Sequence, residues 1–405
     1  MSNVDFQPVL LASDINVYSM ARAFHEAYGV KSLGLARSIS GPCENSKIIE
    51  FRIEENLDET EVFVDYLTKL YEEFKGKKQL VLVGCADHYV RLIVENKERL
   101  KDMYVMPYAD KESMDNIVLK ETFYGLCSKY GLDYAETFVF KYGMDVDGFE
   151  LPFDFPVVLK PSCSVSFNKH HFPGQKKVYF PDNMEELRAA LKEIYDHGYD
   201  NSMIIQDRVP GADDAMFDLH VYVGSDHKVK MMNMGNVLLE EHTPKGIGSN
   251  AATIVDPHPE IMEKVKFLLE DIGYQGMADC DLKYDCRDGK IKIFEINIRQ
   301  GRSHYRITGG GNNIAKYMID DFLYHKEIPE QIVTEPFFWH VVPLGVVYKY
   351  VKDQDKLARV KELVKQGKYC HSLYYKKDMG FKRWMYLKLR DLNQFKKFKQ
   401  YLGNK

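Results

Sequence analysis

The chain predicts an α/β fold that gives way to α+β subdomains, and three observations carry that reading. Short apolar runs alternate with helix-period stretches through residues 1–112, the pattern of an open parallel sheet that is Rossmann-like in its alternation. From about residue 113 the strands gather into hairpins with helices between them. The end turns basic and aromatic, with Trp384, Tyr386, Phe395, Phe398 and Tyr401. At 405 residues the chain exceeds one typical core, and these shifts divide it at 1–112, 113–210, 211–327 and 328–405.

In order, the apolar run at Pro8, Val9, Leu10 and Leu11 reads as a strand, followed by a helix around 18–27 and a strand over 31–35. A helix over 61–74 and a buried strand over 79–83 complete a β-α-β-α-β order. No GxGxxG follows the first strand, so a dinucleotide site has no support there. Asp14 and Asp87 each follow a strand end, where such sheets bind ligands, although helix capping is the favoured reading of both.

A helix over 116–130 carries Lys120 and stops at Gly131. The run Phe155-Pro156-Val157-Val158-Leu159-Lys160-Pro161 is a strand closing on a lysine, which is costly to bury unless it meets an anion. The loop over 162–171, with Ser162, Ser164 and Ser166, has the small side chains and backbone donors to fold over a polyphosphate; a plain exposed hairpin is the alternative. A helix over 185–195 starts after Pro181-Asp182-Asn183. The strand from Met203 runs through Gln206, Asp207 and Val209 into a turn. Its backbone can read an adenine edge, and Asp213 and Asp214 lie within reach of a ribose. Strands over 219–224 and 229–234, a loop over 242–250 and a helix over 259–272 follow.

The stretch 277–313 organises the rest. From Phe294 to Asn297 polarity alternates, so Glu295 and Asn297 share one strand face while Phe294 and Ile296 share the other. A carboxylate and an amide oxygen two residues apart suit a hard divalent cation. The preceding strand carries Asp281, and the turn decides whether it joins them. A two-residue Asp288-Gly289 turn pairs Asp281 with Ile296; a three-residue loop with Gly289 in αL pairs it with Glu295. The second register is favoured, because it gathers Asp281, Glu295 and Asn297 and places Leu282 and Ile296 in the core. Beyond, Gly309, Gly310 and Gly311 precede a helix over 314–324 and free backbone amides for an anion, with Arg299, Arg302 and Arg306 nearby.

The apolar share of 45% and charged share of 28% are those of a soluble globular protein. No run reaches the roughly 18 apolar residues of a membrane span, and the start lacks a signal-peptide pattern. Seven scattered cysteines without CxxC spacing predict reduced thiols and a cytoplasmic setting. A net charge of −5 argues against nucleic acid as a partner. Residues 376–405 nevertheless hold ten Lys/Arg against two Asp. That is either a solvated helix face or a patch for a phosphate-bearing substrate or an anionic membrane.

Taken together, Lys120, the segments PVVLKPS, IIQDRVPG, ADCDLKYD and IFEINIR, and the glycine-rich stretch resemble the ATP-grasp superfamily of carboxylate–amine ligases over roughly residues 1–325. The resemblance implies an N-terminal pre-ATP-grasp domain, two subdomains holding ATP between them, and a small C-terminal appendage. It implies phosphorylation of a carboxylate by ATP, then attack by an amine, releasing ADP and phosphate. Within the superfamily the chain looks most like D-aspartate ligases, which join D-aspartate to the lysine side chain of a peptidoglycan precursor. Another amino-acid or dipeptide ligase, or a non-catalytic nucleotide-binding protein, is the alternative.

Carried over by position, Lys120 and Lys160 would hold the ATP phosphates and Ser162, Ser164 and Ser166 the closing loop. Gln206, Asp207 and Val209 would meet adenine and Asp213 ribose. Asp281, Glu295 and Asn297 would hold magnesium or manganese. Arg299, Arg302, Gly309, Gly310 and Gly311 would bind the amino-acid carboxylate, with Lys160, Arg299 and Arg302 as the catalytic set. Gln206-Asp207 stands where relatives usually place a glutamate, and the phosphate loop has serines and a cysteine where many have glycines.

Overall fold

A computed structural model describes residues 4–402 apart from Cys163, Asn168, Lys169 and Lys245, and without the side chains of Glu121, Ser164 and Val165. Strands β1 (Phe6–Leu11), β2 (Ser32–Ala36), β3 (Ile49–Ile53), β4 (Gln79–Gly84) and β5 (Tyr104–Val105) form a parallel sheet in the order β3-β2-β1-β4-β5. The winding reverses between β1 and β4, which opens a crevice beyond their carboxyl ends. Every residue of β1 is buried, because helices cover both faces of a parallel sheet. β3 and β5 escape sequence reading: one is a half-exposed edge, the other two residues long.

Asp14 caps helix Ile15–Tyr28, accepting from the amides of Asn16 and Val17, as expected. Asp87 does not cap. It is the first residue of helix Asp87–Glu95, and its carboxylate meets Arg299 Nε at 3.0 Å.

The helix expected over 116–130 is two, Lys111–Val118 and Lys120–Lys129, broken at an extended Leu119. The break makes Lys120 the first residue of the second helix. Strands β6 (Thr137–Phe140), β7 (Val157–Pro161) and β8 (Met203–Asp207) form an antiparallel sheet in the order β6-β8-β7. Helix Met184–Asp196, capped by Asn183, packs Leu187, Leu191 and Ile194 against Leu159, Met203 and Ile205.

A larger sheet takes in β9 (Met216–Val223), β10 (Val229–Glu241), β11 (Ser249–Val255), β12 (Gly276–Asp285), β13 (Lys290–Asn297), β14 (Gln331–Ile332), β15 (Phe338–His340) and β16 (Tyr369–His371). Its order is β13-β12-β9-β10-β11-β15-β16, with β14 alongside β10. The residues after 328 therefore extend this sheet, and the chain leaves β15 for helix Leu344–Tyr350.

The chain ends in helix Phe381–Tyr401, moored to the N-terminal sheet domain through a buried acid. Asp378 accepts from Tyr18 Oη at 2.8 Å and Ser46 Oγ at 3.0 Å, and Arg383 Nε lies 3.1 Å away. The Arg383 guanidinium also sits 4.0 Å over the Tyr18 ring.

The β12–β13 hairpin pairs Asp285 with Lys290 around a four-residue turn ending at Gly289 (φ 74°), not around the three-residue loop expected. That register alone sends Asp281 to the wrong partner. A bulge at Phe294 shifts it by one, so Asp281 faces Glu295 after all and Asp279 faces Asn297. The same bulge breaks strict alternation: Ile293 and Ile296 are both buried with Leu282. Phe294, expected in the core, turns its ring to the opposite side, 5.6 Å below Lys160 Nζ.

Candidate active site

Three elements meet on the polar face of the hairpin. The broken helix brings Lys120, whose Nζ donates to Glu295 Oε2 at 2.8 Å. The last turn of β7 brings Lys160 over Phe294. The hairpin itself supplies Asp279, Asp281, Glu295 and Asn297, with Asn297 Nδ2 3.3 Å from Asp281 Oδ2.

The electrostatics of this group are opposed. Lys120, and then Lys160, outweigh the partial desolvation of Glu295, whose side chain is half-buried, and hold its carboxyl far below the usual range. Burial, followed by the neighbouring Asp279 and Glu295, pushes Asp281 well up. Burial and the adjacent Lys120 bring Lys160 down to about 7. Cations and anions are both crowded here, in a place where an anion would relieve the lysines and a cation the acids.

The acids fit a divalent ion. Among the described residues no three His, Cys, Asp or Glu side chains gather as a metal site would need. Two carboxylates and an amide oxygen, however, suit a hard cation that shares its shell with phosphate oxygens and water. Asp281, pushed toward its protonated form by burial and then by its acidic neighbours, is where that charge is wanted.

Several expected contacts are already occupied within the protein. Gln206 is buried and donates to Tyr124 Oη at 2.7 Å and Thr137 Oγ1 at 2.8 Å, while Tyr124 Oη donates to the Phe294 carbonyl. A glutamine amide can donate both bonds and an ionised glutamate neither, which accounts for this departure from the family pattern. Asp207 is bound bidentately by Arg287, which also holds Asp285, tying the small sheet to the hairpin tip. Asp213 accepts from the Glu240 amide at 2.9 Å and His242 Nε2 at 2.8 Å. Beside it, burial and the Asp213 charge push Glu240 up to about 7.

In the phosphate-loop region, Ser162 donates its amide to Ser202 O, Ser166 Oγ accepts from Asn201, and the side chain of Ser164 lies outside the described residues. Val209 is buried at the end of the adjoining turn.

The glycine expectation is not met. The amides of Gly310 and Gly311 bond back to Arg306 O and Thr308 O, closing the short helix Tyr305–Gly309, and Gly309 packs on Cys370 and Phe337. No anion nest remains in them. The arginines divide as well. Arg306 is buried against Asp218, whereas Arg299 and Arg302 line the crevice, Arg299 between Asp87 and Asp279 and Arg302 2.6 Å from Glu241.

Two site residues escaped the sequence reading. Asp279 shares a face with Asp281, so period two could have found it; it lies so close to Gly301 that a Cβ there would fall 2.1 Å from its Oδ2. Lys177 adds positive charge that helps lower Lys160 and Glu295, and backbone bonds of Tyr179 and Pro181 to β7, invisible locally, bring its segment there.

No family model matches the chain. Among solved structures, an N5-carboxyaminoimidazole synthetase from Staphylococcus aureus complexed with ADP shares its fold at TM-score 0.59, with 15% identity over 88% of this chain and 87% of that one. An L-amino acid ligase from Bacillus licheniformis does so at TM-score 0.57, with 16% identity over 78% and 74%. These likenesses show the fold, that of ATP-grasp proteins. A D-aspartate ligase from Enterococcus faecium (strain Aus0004) is 37% identical over 412 residues, which is 99% of this chain and 98% of that protein. The chain belongs to the D-aspartate ligase family and is an ATP-dependent carboxylate–amine ligase.

Proposed function

We propose that the chain activates D-aspartate as an acylphosphate and joins it to the lysine side chain of a nucleotide-linked peptidoglycan precursor, releasing ADP and phosphate. The convergence of Lys120, Lys160, Asp281, Glu295 and Asn297 on one hairpin face carries this reading. Lys120 and Lys160 hold the ATP phosphates, with the 162–171 loop closing over them. Because the side chains of Gln206, Asp207 and Asp213 are committed elsewhere, the backbone near Val209 meets the adenine. Asp281, Glu295 and Asn297 hold magnesium, or manganese, which when bound neutralises charge on the transferred phosphoryl group. Arg299 and Arg302 orient the amino-acid carboxylate at the crevice beyond β1 and β4. An acylphosphate reacts readily with a neutral amine, so little general-base machinery is needed.

The test is ADP release with D-aspartate, L-aspartate and other amino acids, each with and without the precursor. ADP should form only when D-aspartate and the lysine-bearing acceptor are both present. AMP as product, or turnover without a carboxylate, overturns the proposal.

Lys160 gives a second expectation. Its pKa falls from 10.5 to about 7 on folding, so between these values the unfolded chain holds a proton that the folded chain lacks. Stability of the ligand-free protein therefore rises with pH across that window. A polyphosphate beside Lys160 restores its charge, so ATP binding near the middle of the window takes up close to one proton. Calorimetry in buffers of different ionisation enthalpy reads this uptake, and Lys160→Met removes it. A binding enthalpy independent of buffer would contradict the placement of Lys160.

A further inference from the structure

Helix Phe381–Tyr401 has two faces of opposite fate. One is docked, burying Arg383, Leu387, Gln394 and Phe398. The other points outward with Phe381 74% exposed, Met385 45%, Leu389 62% and Leu392 61%. At about 100° per residue these side chains share an arc of roughly 80° opposite the docked face. Trp384 flanks them, half exposed, as do the exposed Lys382 and Lys388, and Lys396 and Lys399 continue the same arc toward the end of the helix. A surface helix of a soluble protein ordinarily turns its polar side outward. Here docking is complete without the outer apolar residues, so they serve something else.

The charge indicates what covers them. Residues 376–405 carry ten Lys/Arg against two Asp, in a chain whose net charge is −5. We propose that this helix is a membrane-surface anchor, laying Phe381, Met385, Leu389 and Leu392 into the interface of an anionic bilayer while its lysines meet lipid phosphates. Trp384, at the edge of the strip, sits at headgroup level. The Asp378–Arg383 mooring makes the anchor rigid with the N-terminal domain. On the docked side, Gln394 and Phe398 line one small cavity with Glu241, whose carboxylate pairs with Arg302 at 2.6 Å, so the helix lies beside the arginine end of the crevice. Attachment holds that entrance close to the bilayer, where an acceptor concentrated at the surface would reach it.

The test needs no substrate and is independent of which amino acid is joined. The full chain is mixed with vesicles of phosphatidylcholine, with or without phosphatidylglycerol, and floated. Of the two tryptophans Trp339 is fully buried, so Trp384 fluorescence reports contact. The protein should float with the anionic vesicles only, with a blue-shifted emission and a loss of binding at high salt. Leu389→Glu with Leu392→Glu should weaken partitioning at least about tenfold while leaving the melting temperature and turnover of soluble substrates unchanged. Failure to bind anionic vesicles, or equal binding by the double variant, overturns the proposal. A self-association abolished by the same substitutions without vesicle binding would make this a protein-docking face, and overturns it equally.

Discussion

Replacing Glu295 by glutamine lowers ligase turnover by about 10³-fold or more in a protein that still folds. Glutamine keeps the shape but loses the charge that Lys120 holds in its ionised form. Two consequences coincide. The cation, on the proposed assignment, loses one of its two carboxylates, and Lys120, 10% exposed, loses its counter-ion at 2.8 Å. The fold tolerates the change because the Glu295 side chain is itself 39% exposed and Ile293 and Ile296 keep the strand in the core. Phosphate release across a magnesium titration, alongside a thermal melt, checks both halves. Near-normal turnover at limiting magnesium would mean that the ion is held elsewhere. Lys120→Met separates the effects: it frees Glu295 from its lysine but removes the proposed phosphate contact, so it should raise the KM for ATP more than Glu295→Gln does.

What the sequence made legible follows from the range of the forces involved. The parallel sheet could be read because each buried strand is a continuous apolar run, and β1, β2 and β4 all show one. The cluster of Asp281, Glu295 and Asn297 was also legible, although through a turn of the wrong length. Four residues at 286–289 and a bulge at Phe294 offset each other, and a hairpin read by period alone sees neither. Leu119 hid the helix break, since leucine is a good helix former and nothing in its side chain demands an extended backbone. The glycines after Arg306 looked like an anion nest because sequence shows freedom of the backbone, not which carbonyls are near enough to claim its amides. The Asp87–Arg299 pair is a long-range contact with no local signal.

The buried Arg306 sets the second large effect: Arg306→Met should cost about 3–5 kcal/mol of stability. Its guanidinium, with no exposed surface, reaches Asn233 Oδ1, Thr253 Oγ1 and Asp218 Oδ1, each at 2.7 Å. Asp218 accepts as well from Asn250 at 2.8 Å and from Ser303, whose hydroxyl lies 2.9 Å from His220 Nε2. The other nitrogen of that ring is 3.0 Å from Asp279, so the network ends at the acids of the β12–β13 hairpin. Burial pushes Asp218 up, but Arg306 and then His220 outweigh it and hold its carboxyl below the ordinary value. In the parent protein Asp218 therefore adds stability above its unfolded pKa, and that contribution fades as pH falls. Without Arg306 the carboxylate is a lone buried charge, so the deficit should be greatest near neutral pH and shrink as acid neutralises Asp218. Urea unfolding at several pH values measures this. Asp218→Leu combined with Arg306→Met should recover much of the loss, because it removes the stranded charge along with its partner. If the two substitutions instead add, with the same deficit at every pH, Asp218 is not the group that Arg306 neutralises.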